Sequence, residues 1–276
     1  MLHDYETTRR SWNLATRNHN SHKGDQAAFL RSGGDILFPE EVELLGDLKG
    51  KTLVHQQCNA GQDSLCLARR GATVTGVDLS DGAVEFASAL SRDSGIAAQF
   101  VQAEVVAWMQ ATKQRFDFAF SSYGATGWLP DVDAWAQGAY RILVPGGRLV
   151  YVDFHPLVWC WDKELKPTAD DYFNHGPFVT PVGDYVAESG SGLGAITTGT
   201  SEDNTIPAYS WQHGFGEILE ALARAGFQLE RIREYPYANG CKITAALVPG
   251  ADRRWEWPAG IARTPLMYGI AARRPV

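Results

Sequence analysis

Two short runs hold the residues best suited to grip a nucleoside: CNAGQD at 58–63 and GVDLS at 76–80. In open α/β sheets, ligands bind beyond the carboxyl ends of the strands, near the switch point. A carboxylate that ends the second strand can accept hydrogen bonds from both hydroxyls of a ribose. Asp78 stands roughly 20 residues beyond the first loop, the separation such a fold requires. Its plainer role would be to cap the following helix together with Ser80 or Asp81. Strand, loop and spacing together favour the cofactor role. Metal chemistry has little support. His19 and His22 are spaced i, i+3 but bring no partner carboxylate, and Cys58, Cys66, Cys160 and Cys241 form neither a CxxC pair nor a zinc-ligand pattern. Reduced thiols and no metal are expected.

The elements that must present these residues alternate as βα units from about residue 50. Strands are predicted at Thr52–Gln56, Ala72–Val77, Gln99–Gln102, Phe116–Phe120 and Arg148–Phe154. Helices are predicted at Asp63–Arg70, Gly82–Ser91 and Asp133–Leu143, the last stopped by Pro145-Gly146-Gly147. The pattern is lost after Pro156, through a stretch rich in Gly, Ser and Thr. It returns as a helix over His213–Ala225 and strands over Gln228–Tyr235 and Leu266–Ala272. The expected organisation is therefore a helical N-terminal lid (1–47), one βα core (48–155 and 210–276) and an inserted cap (156–209). A structureless loop as long as that insertion is uncommon in a compact domain, so it should carry structure of its own.

These motifs resemble a known family. The run TLVHQQCNAGQDSLCLARRGATVTGVD (52–78), the strand ending QFVQAE, FDFAFSSYG and RILVPGGRLVYVDFHP look like successive motifs of class I S-adenosylmethionine-dependent methyltransferases. The likeness covers about 48–155, and more loosely 211–272 through WQHGFGEI and the terminal strand. It is closest to a small-molecule group with an extra cap after the fifth strand. It implies an α/β fold: a Rossmann-like, seven-stranded, mostly parallel sheet with helices on both faces. It also implies S-adenosylmethionine as cofactor and S-adenosylhomocysteine as product. By the same likeness, Gln57, Cys58, Asn59, Gly61, Gln62 and Asp63 cradle the methionine moiety, and Asp78 and Leu79 hold the ribose and its surroundings. Glu104 and the Val105 N–H lie at the adenine, with an exposed helix-starting glutamate as the alternative for Glu104. Ser121, Ser122 and Tyr123 fall where cofactor and substrate meet. One departure stands out. Where the family has acidic-x-Gly-x-Gly-x-Gly, this chain has His55, Gln57, Asn59 and Gly61, so the acid and two glycines are gone. Asn59 can keep the turn, and Gln57, Gln62 or an N-terminal side chain is left to orient the methionine end.

Methyl transfer is an in-line displacement that gains chiefly from alignment in a dry site, and it needs a base only if the acceptor must lose a proton. His155, after the fifth strand and beside Asp153, is the leading base or substrate-orienting candidate, with Tyr123; a structural histidine bonded to backbone is the other reading. His213 and Glu217 are weaker candidates. The chain has nine tryptophans, too many to leave unassigned. Trp108 and Trp135 fit amphipathic core positions. Trp12, Trp128, Trp159, Trp161 and Trp211 fall in the added segments, where they would either wall a flat, aromatic or heteroaromatic acceptor or glue the cap to the core. Trp255 and Trp257 belong to a surface loop. A formal net charge of -7 disfavours nucleic acid as a partner. No run approaches the roughly 20 apolar residues of a membrane span, and the charged start MLHDYETTRRSWN has no apolar h-region, so a cytoplasmic location is expected. No signature of an oligomeric state is present. The expected function is methylation of a small molecule at N, O or C. Two rivals stand beside it: a non-catalytic S-adenosylmethionine-binding regulator, suggested by the eroded first motif, and an NAD(P)-dependent oxidoreductase, which lacks its glycine-rich fingerprint here.

Overall fold

A computed structural model describes residues 4–162, 164, 166–167, 171–189 and 199–276. Five parallel strands alternate with helices: β1 (Thr52–Gln56), β2 (Thr73–Asp78), β3 (Gln99–Gln102), β4 (Phe116–Ser122) and β5 (Leu143–Phe154). Three helices precede them, α1 (Tyr5–Ser21), α2 (Gln26–Arg31) and α3 (Pro39–Leu45). Four more lie between them: α4 (Gln62–Arg69), α5 (Asp81–Ser94), α6 (Val105–Ala111) and α7 (Val132–Ile142). After β5 come the short hairpin β6 (Phe178–Pro181) and β7 (Pro207–Ser210), which flanks α8 (Tyr185–Ser189). The chain then forms α9 (Phe215–Ala225), β8 (Gln228–Tyr235), β9 (Tyr237–Asn239), β10 (Val248–Pro249), β11 (Arg254–Glu256) and β12 (Met267–Arg273).

The main sheet has the order β3-β2-β1-β4-β5-β12-β8, with β12 antiparallel to both its neighbours. It is the seven-stranded, mostly parallel Rossmann-like sheet that the motifs implied. Burial on both faces explains the apolar runs of its central strands. One face packs Leu44 and Leu45 of α3, Leu65 and Leu67 of α4 and Leu90 of α5. The other packs Met109 of α6, Trp135, Ala139 and Ile142 of α7 and Ile218 and Leu222 of α9. Trp135 is fully buried, and its indole N–H donates to Gln56 Oε1 at 2.8 Å. Trp108 is half-buried against the same cluster.

Local chemistry sets the ends that matter for function. Ser80 caps α5 by accepting from the Ala83 N–H at 3.0 Å, and Asp4 caps α1. Pro145 ends helical geometry after Ile142, and β5 starts earlier than the sequence pattern suggested, its register with β4 shifting between Phe116 and Phe118. Residues 237–256 differ more. They form a three-stranded antiparallel sheet, β10-β11-β9, in place of a surface loop. Trp255 lies in β11, and Trp257 is buried with its N–H on the Thr264 carbonyl at 2.9 Å. Strands of two or three residues are too short to show alternation in a sequence.

The N-terminal helices and the insertion pack on each other above the strand ends. Trp12 stands edge-on to Trp128 at 5.1 Å, against Ala15, Val182 and Ala208. His19 Nε2 bonds the Gly183 carbonyl at 3.0 Å, and His22 Nε2 lies 3.0 Å from both Asp184 and Ser201. The histidine pair thus joins α1 to the insertion. Residues 190–198, much of the Gly/Ser/Thr-rich stretch, lie outside the described residues.

Candidate functional site

A cavity of about 870 Å³ opens above the carboxyl ends of β1, β2, β4 and β5, within the roughly 300–1,000 Å³ common for small-ligand sites. Its floor begins with the turn after β1. Gln57 (φ 52°), Asn59 (φ 47°) and Gly61 (φ 78°) all have left-handed backbone, the conformation a glycine-x-glycine-x-glycine loop normally supplies. The chain keeps that path with two L-residues, each at a cost of roughly 1–2 kcal/mol. Local bonds hold it there. Asn59 Oδ1 accepts from the Ala60 N–H at 2.6 Å, and Gln57 Nε2 donates to the Ala125 carbonyl at 2.8 Å. Gly61 cannot be replaced so readily. A Cβ there would lie 2.7 Å from Ala87 Cβ and 2.8 Å from the Phe100 ring.

Asp78 ends β2 at the cavity wall. Its carboxylate accepts from the Asn59 N–H at 2.7 Å and the Ser80 N–H at 2.9 Å, which leaves acceptor capacity on both oxygens. Burial raises its pKa to about 6 against these bonds. Leu79, Glu104 and Val105 line the same end. Glu104, half-buried, also caps α6, taking the Val106 and Ala107 N–H groups at 2.9 and 2.7 Å. Cys58, Gln62, Asp63 and Lys23 also line the cavity. Burial raises Asp63 to about 6 and lowers Lys23 to about 8, each partly offset by the other's charge. His55 is buried and neutral, its pKa lowered to about 3 by burial, with Nδ1 at 2.8 Å from Ser64 Oγ. It supplies no charge where the resemblance would put an acid. Gln57 lines the cavity, and its Oε1 is buried without a donor.

Tyr123, Trp12, Trp128, Trp159 and Trp211 all line the cavity, as do Phe38, Phe154 and Phe178. Several residues singled out in the sequence do not. His155 is buried and off the lining. Its Nδ1 accepts from the Leu157 N–H at 3.2 Å, Nε2 lies 3.3 Å from Glu234, and its ring packs on Phe215 and Tyr268. Its position corrects the expectation of a base: it is a capping residue, and burial lowers its pKa. Ser121 is fully buried and faces away from the cavity, because strand alternation puts Ser122 on the lining instead. Gly61 shapes the loop from behind. Trp161 bridges to Pro167 and packs on the core. Of the weaker candidates, His213 lines the cavity with Nε2 on the Leu129 carbonyl at 2.7 Å, while Glu217 caps α9 through the Gly214 N–H.

Sequence reasoning missed Lys23, Lys242, Arg253 and Asn239, which line the cavity from the N-terminal segment and the small β10-β11-β9 sheet. No motif marks them. It also undervalued Asp153, which is buried beside Tyr123. Asp153 accepts from the Gly124 N–H, the Tyr151 hydroxyl and the Phe154 N–H, fixing the turn after β4 to the end of β5. Among the described residues, no group of three or more His, Cys, Asp or Glu side chains is placed to hold a metal, and no helix is long and apolar enough to cross a membrane.

Comparison with known proteins agrees with this geometry. Residues 56–147 match a family model described as a methyltransferase domain. A ubiquinone biosynthesis O-methyltransferase of Pseudomonas entomophila (strain L48) is 28% identical over 104 residues, covering 38% of this chain and 44% of that protein. The chain thus spans less than half the length of such curated relatives. Among solved structures, an S-adenosylmethionine-dependent methyltransferase from Mesorhizobium loti superposes with a TM-score of 0.59 at 22% identity, covering 88% of this chain and 99% of that one. Geranyl diphosphate C-methyltransferase from Streptomyces coelicolor A3(2), solved with S-adenosylhomocysteine, gives 0.50 at 17% identity over 85% and 76%. Both are likenesses of fold.

Proposed function

Because residues 56–147 match a methyltransferase-domain model, we propose that this protein transfers a methyl group from S-adenosylmethionine to a small molecule. The observation that carries the reading is the pairing of Asp78 with the left-handed loop at 57–61 on one wall of the cavity. The Asp78 carboxylate takes the ribose hydroxyls, and Leu79, Glu104 and Val105 surround the adenine. Gln57 Oε1 accepts from the methionine ammonium, and Lys23 faces its carboxylate. Asp63, across from Lys23, restores the negative charge lost with the acid that His55 replaces. The cofactor supplies an electrophilic methyl carbon on a sulfonium.

The chain's own residues do the rest. Asp153 fixes the Tyr123–Ala125 turn, so the acceptor's floor is rigid. The described residues of the N-terminal segment and of the insertion after β5 cover the cavity and exclude water, and Trp12, Trp128, Trp159 and Trp211 present flat faces to an aromatic or heteroaromatic acceptor. Calorimetry with S-adenosylhomocysteine and with NADH tests the reading. Saturable binding of the first alone is expected, and binding of NADH alone would sink it. Turnover of S-adenosylmethionine with some member of a panel of phenols, amines and N-heterocycles then separates an enzyme from a cofactor-binding regulator.

A further inference from the structure

Two hydrogen bonds tie the segment between β7 and α9 to the loop after β4. The Trp211 N–H donates to the Gly127 carbonyl at 2.7 Å, and His213 Nε2 bonds the Leu129 carbonyl at 2.7 Å. A carbonyl oxygen only accepts, so Nε2 carries the hydrogen and the tautomer is fixed. Nδ1 of the neutral ring is therefore an unprotonated acceptor. It makes no hydrogen bond among the described residues, and it is not one of their buried, unpartnered polar atoms. The half-buried ring thus keeps an accessible lone pair, and it lines the cavity together with Trp128, Leu129 and Trp211.

This clamp sets the imidazole beside two of the indoles that would receive a flat acceptor. Trp128 is itself held edge-on against Trp12 at 5.1 Å. Nδ1 can only accept, so the group it meets must carry a hydrogen. Among protic groups on a flat ring, a phenol hydroxyl has a pKa of about 10, which an imidazole can match during methyl transfer. Aniline and indole N–H groups are far weaker acids.

Resting on the methyltransferase reading, we propose that His213 Nδ1 is the general base that takes the proton of a phenol-class acceptor. As the acceptor oxygen forms its bond to the methyl carbon, the carbon–sulfur bond breaks and its electron pair stays on sulfur. The hydroxyl proton passes to Nδ1. The products are the methyl ether, the neutral thioether and an imidazolium, so the sulfonium's positive charge ends on His213 and atoms balance. The imidazolium keeps its Nε2–H on the Leu129 carbonyl throughout, so the ring need not turn. Glu217 of α9 and Asp131 ahead of α7 favour the charged ring, and His175 of the insertion opposes it. Burial outweighs them and lowers the pKa, which leaves the ring neutral and able to accept near neutrality.

4-Nitrophenol is the probe, because it ionises near neutrality and its phenolate is coloured. Calorimetry first establishes S-adenosylhomocysteine binding, without which the methyltransferase reading itself fails. The nitrophenol is then titrated into that complex across pH by absorbance, in the parent chain and in the His213→Gln variant. The glutamine amide can still donate to the Leu129 carbonyl but offers no basic nitrogen, so a residue that only clamps the loop would be replaced without effect. The bound probe should ionise about one pH unit lower in the parent chain than in the variant, a tenfold change in its ionisation ratio. Ring-nitrogen NMR of the parent complex needs no folded variant. The His213 ring should be protonated on Nε2 alone before the probe is added, and on both nitrogens once the bound probe is phenolate. If the cofactor product binds but nitrophenol does not, or if both proteins ionise it alike, the base and the substrate class are overturned while the cofactor site stands. A ring protonated on Nδ1 alone in the free complex overturns them equally.

Discussion

The Asn59 N–H donates to Asp78 Oδ2 at 2.7 Å, so the turn after β1 and the end of β2 are one unit. The bond orients the carboxylate toward the cavity and holds Asn59 in a conformation it would otherwise avoid. Each element therefore stabilises the cost carried by the other: a left-handed L-residue on one side, a half-buried charge on the other.

Replacing Asp78 should then change affinity and stability in opposite directions. Asp78→Asn should weaken S-adenosylhomocysteine binding at least tenfold, about 1.4 kcal/mol, because an amide can no longer accept from both ribose hydroxyls. The same variant without ligand should be about 2 kcal/mol more stable at neutral pH, since a carboxylate raised from 3.8 to about 6 is a net cost to the fold once ionised. Urea denaturation beside calorimetry tests both. An unchanged affinity would remove Asp78 from the site.

The pH dependence follows from the same shift. With a folded pKa of about 6 and an unfolded value near 3.8, folded Asp78 holds its proton more tightly than unfolded Asp78. Its stabilising contribution is full below about pH 4 and is lost as pH rises through 6. Ribose binding favours the ionised form, so ligand affinity has the reverse trend: it should fall as pH drops below about 6, and binding there should release a proton. Calorimetry in two buffers of different ionisation enthalpy measures that release. Asp63 has a similar shift, so the Asp78→Asn variant should lose only part of the dependence.

Much of the cofactor end was legible in the sequence because strand, turn and spacing are local. Thr52–Gln56 and Gln99–Gln102 stand as read, and Asp78, Leu79, Glu104 and Val105 share one wall of the cavity. The acceptor end was not legible. Asn239 reaches it beside Tyr123 from a segment far along the chain, and nothing in its neighbours' periodicity marks it. His155 looked chemical because it follows a strand end, yet its ring is turned onto Phe215 and Tyr268. A one-residue change along a strand reverses a side chain's face, which is why Ser122 lines the cavity and its neighbour Ser121 does not.

The loop's departure from glycine can be tested without the cofactor. Gln57→Ala and Gln57→Gly both remove the bond to the Ala125 carbonyl, but only glycine relieves the φ of 52°. The glycine variant should be more stable than the alanine variant by about 1–2 kcal/mol. Equal stabilities in urea would mean the loop relaxes to another path.

Gly61 should give the contrary result. Gly61→Ala adds a methyl at φ 78° and within 2.8 Å of Ala87 and Phe100. A loss of about 2–3 kcal/mol is expected from backbone strain and overpacking together. A loss below about 0.5 kcal/mol in urea denaturation would show that α4 can move away from α5 and β3.

Lys23 offers the sharpest division of the cofactor site, since adenosine lacks the amino-acid end that Lys23 is proposed to face. Lys23→Gln should weaken S-adenosylhomocysteine about tenfold and leave adenosine within about twofold, a difference of roughly 1 kcal/mol. The variant should also return Asp63 to a less favourable state, because the lysine's positive charge is what opposes its burial. Equal loss for both ligands would place Lys23 in the structural support of the cavity wall. Loss for neither would mean that the ligand's carboxylate pairs elsewhere, with Arg253 the next cation on the lining.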